Sequence, residues 1–242
     1  MISISSTSRS EQVEIMDDFD LQGDEMKLLL SDLKTVNTLL GGTNITLGGI
    51  KQLLKNCYAN KTITILDIGC GDGEILRKCA DLSKKLGFQF ELIGLDANPH
   101  ILNTAREKSK SHTNIKYQTV DIFSKDATIP EHDIALCTLF IHHFPNDSIV
   151  QLLRKLANKS KAGIVINDLE RSKVAFWLFK LFSFVFLKTK IAKHDGLVSI
   201  ARSFRRKELQ QLSEKIENTN SKIRWKWAFR YQWILTRAKN IQ

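Results

Sequence analysis

Apolar and polar positions along this chain fall into blocks whose period changes regularly. Short β-branched or aliphatic runs occupy 63–68, 90–95, 115–120, 133–139 and 162–167, and apolar residues recur at helical spacing over 73–86, 98–109 and 146–158. Strand-sized runs separated by helix-sized amphipathic stretches imply a parallel sheet with helices on both faces. Ahead of this rhythm, Met26, Leu29, Leu33, Val36 and Leu40 form a helical stripe that Gly41-Gly42 would end, and a second helix is expected from Ile45 to Asn56. Behind it, Arg205 to Ile216 reads as a helix, and Ile223–Trp227 with Tyr231–Leu235 as a closing hairpin.

One block breaks the rhythm. Val174 to Leu187 is apolar except for Lys180 and Ser183, and it carries Phe176, Trp177, Phe179, Phe182, Phe184 and Phe186. Fourteen residues are too few to span a bilayer, which takes roughly 20. A helix apolar on nearly every side is buried, lies against lipid, or covers a greasy ligand. Lys188, Lys190 and Lys193 would help an interfacial membrane contact.

The first strand run, Ile63 to Ile68, leads into Gly69-Cys70-Gly71-Asp72-Gly73 and then a helix. Three alternating glycines permit backbone angles closed to other residues and let a ligand lie on bare main chain. The spacing is G-x-G-x-G rather than the dinucleotide G-x-G-x-x-G, and Glu74 stands where the third glycine would be. Asp67 and Asp72 would repel a pyrophosphate but suit a ligand carrying an ammonium and a sulfonium. Asp96 ends the second strand run, where an acid can accept both ribose hydroxyls. Asp121 ends the third, within reach of an adenine amino group.

Asp67-Ile-Gly-Cys-Gly-Asp-Gly73, followed in order by Asp96 and Asp121, resembles motif I and the acids of class I S-adenosylmethionine-dependent methyltransferases, firmly over roughly residues 60–170. The resemblance is to the small-molecule type found in bacterial quinone and polyketide pathways. It implies an α/β fold: a Rossmann-like, doubly wound, mostly parallel seven-stranded sheet with N-terminal helices and a hydrophobic helical insertion after strand five. It implies that S-adenosylmethionine is held by Asp67, Gly69, Cys70, Gly71, Gly73, Asp96, Ala97, Asp121, Ile122 and Leu139. It also makes 171–204 a lid insertion and 24–58 a helical cap within one domain over 24–242. In this superfamily the residues after strand four face the methyl group. Here they read Phe140-Ile-His-His-Phe144, so His142 and His143 are candidate bases. His194, with Asp195 or Asp168 to orient it, is a third. No N-P-P-Y motif follows strand four, which counts against base N-methylation. The reaction implied is displacement at the sulfonium methyl, with oxygen the favoured nucleophile and no metal required.

Charge and composition adjust the picture slightly. The chain is 43% hydrophobic and 26% charged, ordinary for a globular domain of 242 residues. Its net charge of +10 is concentrated at the end: 17 Lys and Arg against 4 Asp and Glu from Arg171 onward. This suits an anionic surface, and with Trp225, Trp227, Phe229 and Tyr231 it keeps an RNA methyltransferase as an alternative. A cofactor-binding subunit without chemistry is a second alternative. Cys57, Cys70, Cys79 and Cys137 are scattered, so neither a zinc site nor disulfides are expected, and a cytoplasmic location fits, with peripheral membrane contact left open. No signal peptide is read at the N-terminus, and residues 1–23 are expected to be an acidic, disordered segment.

Overall fold

Seven strands form one sheet in the order β3-β2-β1-β4-β5-β7-β6. The computed structural model describes residues 2–18, 21–55 and 61–238, so the expected helix end at Asn56 and the residue Cys57 lie outside it. The strands are β1 (Thr62–Ile68), β2 (Gln89–Asp96), β3 (Ile115–Thr119), β4 (His132–Thr138), β5 (Ser160–Leu169), β6 (Thr219–Lys226) and β7 (Arg230–Arg237). The first five pair in parallel, while β7 runs antiparallel to both β5 and β6. This is the doubly wound α/β sheet expected from the block pattern. Strand order reverses between β1 and β4, which makes their carboxyl ends the place for a ligand.

The helices are α1 (Gly23–Leu39), α2 (Gly42–Leu54), α3 (Glu74–Leu86), α4 (Pro99–Lys108), α5 (Asn146–Lys159), α6 (Lys173–Phe186), α7 (Lys190–Arg202) and α8 (Arg206–Glu214). Because β1 and β4 are covered on both faces, their side chains feed two apolar layers. Ile65 and Leu136 pack with Ile50 of α2 and Leu76 of α3, whereas Leu66, Ile68 and Cys137 pack with Leu153 of α5 and Leu209 of α8. Near-continuous apolar strands follow from that double coverage. The helical cap is pinned to the sheet by polar bonds: Asn167 Nδ2 donates to the Gly42 carbonyl at 2.8 Å, and Gln232 Nε2 to that of Ile45 at 2.6 Å.

Two stretches differ from expectation. The segment from His194 to Phe204, to which the block pattern assigns no element, lies mostly within α7. Gly196 in its middle looks like a helix breaker, worth about 1 kcal/mol against alanine. The structure gives the reason for it: the Phe179 ring of α6 crosses there, and any Cβ would overlap it. Within the segment expected to be acidic and disordered, residues 9–16 lie along α7. Ser10 N donates to Ala201 O (3.0 Å), Arg9 Nε to Arg202 O (2.6 Å), and the amides of Ile15 and Met16 to the buried Asp195 carboxylate, both at 2.9 Å. A polar segment held by such long-range bonds carries no local signal of order.

Candidate active site

The turn after β1 builds the first half of the site. Gly69, Gly71 and Gly73 all take positive φ (67°, 53° and 76°), which only glycine adopts freely. At Gly73 a Cβ would also overlap the Tyr117 hydroxyl, so this glycine serves the strand–helix junction and lines neither of the two cavities beside Asp67 and Asp96. Asp96, the last residue of β2, ties the turn to its neighbour: Oδ2 accepts from Gly71 N at 2.9 Å and Oδ1 from Asn98 N at 3.0 Å. Asp72 is spent on structure. It accepts from Glu74 N (3.1 Å) and pairs with Lys108 at 2.6 Å, so its charge is not offered to a ligand.

Asp67 is different. It is buried in β1, one residue before the strand ends, and its Oδ1 has no hydrogen-bond partner. Burial, with the charge of Asp96 adding to it, pushes its pKa up to about 8. An orphaned buried carboxyl lining a cavity fits a cationic group such as an amino acid ammonium. Two adjoining cavities meet here. One, of about 180 Å³, is lined by Asp67, Gly69, Cys70 and Gly71; the other, of about 380 Å³, by Asp96, Ala97, Asp121, Ile122 and Leu139. Nine of the ten expected cofactor residues therefore border one contiguous space, Gly73 being the exception. Asp121 lies two residues past β3 and is exposed, with Oδ1 accepting from Phe123 N at 3.0 Å.

Past β4 the chain turns sharply. Leu139 sits at φ 51°, a strained conformation for a bulky residue, and its amide donates to Asn167 O at 2.8 Å. Leu139 borders both of these cavities and also a third, apolar cavity of about 280 Å³ lined by Val36, Leu40, Phe179, Phe182 and Ile200. The short helical turn Ile141–His143 then presents both histidines. His142 is fully buried: Nδ1 lies 2.7 Å from Asp168 Oδ1, and Nε2 lies 3.3 Å from Glu14 Oε1, close enough for an ion pair but without hydrogen-bond geometry. Burial would lower its pKa, yet Asp168 and then Glu14 outweigh it and hold it at about 9. In return the imidazolium keeps both carboxylates below their ordinary values against the opposing effect of burial. His143 is half-buried, with Nδ1 3.2 Å from Asp17.

His194 is not part of this cluster. It sits on α7, pairs with Asp195 at 2.8 Å, and lines none of the three cavities. Asp168 thus orients His142, not His194. Glu14, His142 and His143 bring one donor atom each within 4.8 Å, a spacing that would admit a metal ion, although the imidazolium already balances the charge. The sequence pointed to the end of β5 but not to Glu14 or Asp17, which arrive from a segment without any motif.

Residues 65–163 match the family model described as a methyltransferase domain. The matched segment is less than half of the chain. A 98-residue stretch is 34% identical to the non-reducing polyketide synthase ausA of Penicillium brasilianum, covering 38% of this chain and only 4% of that enzyme. Over nearly the whole chain the methyltransferase domain and its flanks superimpose on the plantazolicin methyltransferase BpumL in complex with SAH (TM-score 0.65, 19% identity, 92% of this chain and 93% of that one). They also match human N-acetylserotonin methyltransferase in complex with SAM (TM-score 0.60, 14% identity, 95% of this chain and 64% of that one). The fold is that of the class I S-adenosylmethionine-dependent methyltransferases, as the Asp67–Gly73 turn implied.

Proposed function

We propose that this protein transfers a methyl group from S-adenosylmethionine to an oxygen of a small, lipophilic acceptor. The observation that carries the reading is the orphaned Asp67 carboxyl beside a glycine turn, in a space that adjoins an apolar cavity through Leu139. Asp67 would hold the ammonium of the donor, Asp96 the ribose, and the segment around Asp121 and Ile122 the adenine. The donor supplies an electrophilic methyl with a good leaving group, so positioning of the nucleophile accounts for much of the rate.

His142 handles the acceptor's proton in this reading, with Asp168 fixing its ring. Paired also to Glu14, the imidazole carries its proton and is no base. An acceptor that displaces Glu14 from Nε2 removes one of the charges holding the pKa up and returns the ring toward neutrality. Residues 2–18 would act as a strap, and α6 with α7 as the lid over the acceptor. A matched polyketide synthase domain favours a polyketide-like acceptor over RNA. The side chains once open to an RNA role point the same way, since Trp225 Nε1 and the Tyr231 hydroxyl both donate to Glu170, an acid that phosphate would avoid.

The same reading extends to a membrane surface. No helix among the described residues is long and apolar enough to cross a bilayer. Yet Val174, Trp177, Leu178, Leu181, Phe184 and Val185 fall on one side of α6, each more than half exposed, with Lys180 4.9 Å over the Trp177 ring and Lys193 beside Leu181. Between Arg171 and Lys207 stand ten Lys and Arg against one acid, the buried Asp195. A basic-rimmed apolar stripe suits the headgroup region of an anionic bilayer, from which a lipophilic acceptor would be drawn. The test of the function is a methyl-transfer screen with labelled donor against phenols, quinone precursors, fatty acids and RNA. Transfer to RNA alone, or to nothing despite tight donor binding, would overturn it.

A further inference from the structure

The acceptor cavity ends on a buried cation. Arg230, the first residue of β7, is 1% exposed and lines the apolar cavity with Val36, Leu40, Phe179 and Phe182. Only Nη2 of its guanidinium has a partner, Asn37 Oδ1 at 3.3 Å, while Nε and Nη1 have none. Gly42 makes the room: a Cβ there would stand 3.0 Å from Cζ and Nη1. The charge of Asp168 acts on Arg230 from the neighbouring strand, but that carboxylate is committed to His142 at 2.7 Å and to Leu169 N at 2.8 Å. A guanidinium stripped of water and left with unused N–H groups is among the costliest things a fold can bury. It becomes favourable when an anion enters, through charge-assisted hydrogen bonds strengthened by the apolar surroundings.

We infer that Arg230 anchors a carboxylate on the acceptor, so that the cavity selects amphipathic molecules with an acidic head and an apolar body lying against α6. The word acceptor rests on the methyl-transfer reading above; the binding itself does not. Lipophilic alcohols of the same shape offer the guanidinium one neutral acceptor and no charge, and protonated amines repel it, so both bind more weakly.

The test compares two probes of equal shape, 4-butylbenzoate and 4-butylbenzyl alcohol, by calorimetry on the full-length protein at neutral pH. Wild type should bind the benzoate at least tenfold more tightly. In Arg230→Met that preference should fall to within about twofold, and Arg230→Lys should keep part of it. Binding of S-adenosylhomocysteine, measured on every variant, reports folding and the donor site separately. If wild type binds the two probes equally, binds neither, or Arg230→Met keeps the full preference, the anchor is refuted. Should Arg230→Met fail to fold, the wild-type probe ratio and the Arg230→Lys variant still decide. Loss of S-adenosylhomocysteine binding in wild type would sink the methyl-transfer reading and leave the probe comparison standing.

Discussion

The donor end and the acceptor end of the site are built from different materials. At the donor end, main chain does most of the work: three positive-φ glycines, two strand termini and an acid that ties one strand's turn to the next. At the acceptor end, the walls are side chains from α1, α6, α7, β7 and the segment before α1, brought together over long sequence distances. Backbone geometry constrains residue type strongly, since only glycine fits certain angles and strands tolerate few breaks. Side-chain walls constrain it weakly, because many apolar residues fill the same volume. The donor end is therefore rigid in sequence and the acceptor end free to vary, which suits an enzyme family with one cofactor and many acceptors.

The sharpest way to break this comparison is at the junction of the two ends. His142→Ala should lower kcat by about 10²–10⁴-fold if the ring moves the acceptor's proton. A loss under tenfold would assign it to positioning. Glu14→Gln should act on the same ring differently. Glu14 helps hold the His142 pKa at about 9, so its removal should shift the basic-side requirement for a neutral ring to lower pH. The kcat/KM–pH profile of that variant reads this directly, because it reports the acceptor-free enzyme in which Glu14 still faces His142, and an unmoved profile would detach Glu14 from the chemistry.

Smaller effects separate the walls of α6. Phe184, 79% exposed, should tolerate change to serine without loss of melting temperature or donor binding, while sedimentation with anionic vesicles drops by roughly tenfold. Phe179, which packs on Gly196 and lines the cavity, should instead raise KM for lipophilic acceptors and lower Tm when made serine. Equal behaviour of the two variants would erase the distinction between a lid face and an outer face.

The slightest expected effect is on stability against pH. Asp67 and His142 both have raised folded-state pKa values, about 8 and about 9. Each holds its proton more firmly folded than unfolded, so each contributes stability that is complete below its unfolded pKa and lost as pH rises through the folded one. Glu14 and Asp168 are lowered and act oppositely, losing their contribution as pH falls through the acid range. Thermal melts should therefore show Tm declining from about pH 6.5 to 9, and Asp67→Asn should flatten part of that decline.

The same division governs what could be read from the chain. The β1 turn, the acids near the ends of β1 to β3 and the alternation of strands with helices were legible because period and glycine spacing record backbone demands. Gly73 is expected as a ligand residue, and the place of its Cβ is also taken by the Tyr117 hydroxyl; a sequence does not say which need a glycine meets. Trp225 and Trp227, placed by the sequence in a closing hairpin, are 47% and 69% exposed, and Trp227 borders the acceptor cavity. Glu14 left no trace at all. Its partners, His142 and Ser199, lie 128 and 185 residues away, and a lone acid in a polar stretch resembles any solvated one.

The central claim is that the donor's ammonium sits on Asp67. Calorimetric titration of S-adenosylhomocysteine near pH 7, repeated in buffers of different ionisation enthalpy, tests it most directly. With its pKa at about 8 the empty carboxyl is largely protonated, so receiving an ammonium must expel that proton. Wild type is expected to bind with net proton release, and Asp67→Ala to bind about 10- to 150-fold more weakly without it, the loss of one charge-assisted hydrogen bond of about 1.5–3 kcal/mol. No binding by wild type, or unchanged affinity and proton release in a folded Asp67→Ala protein, would contradict the account.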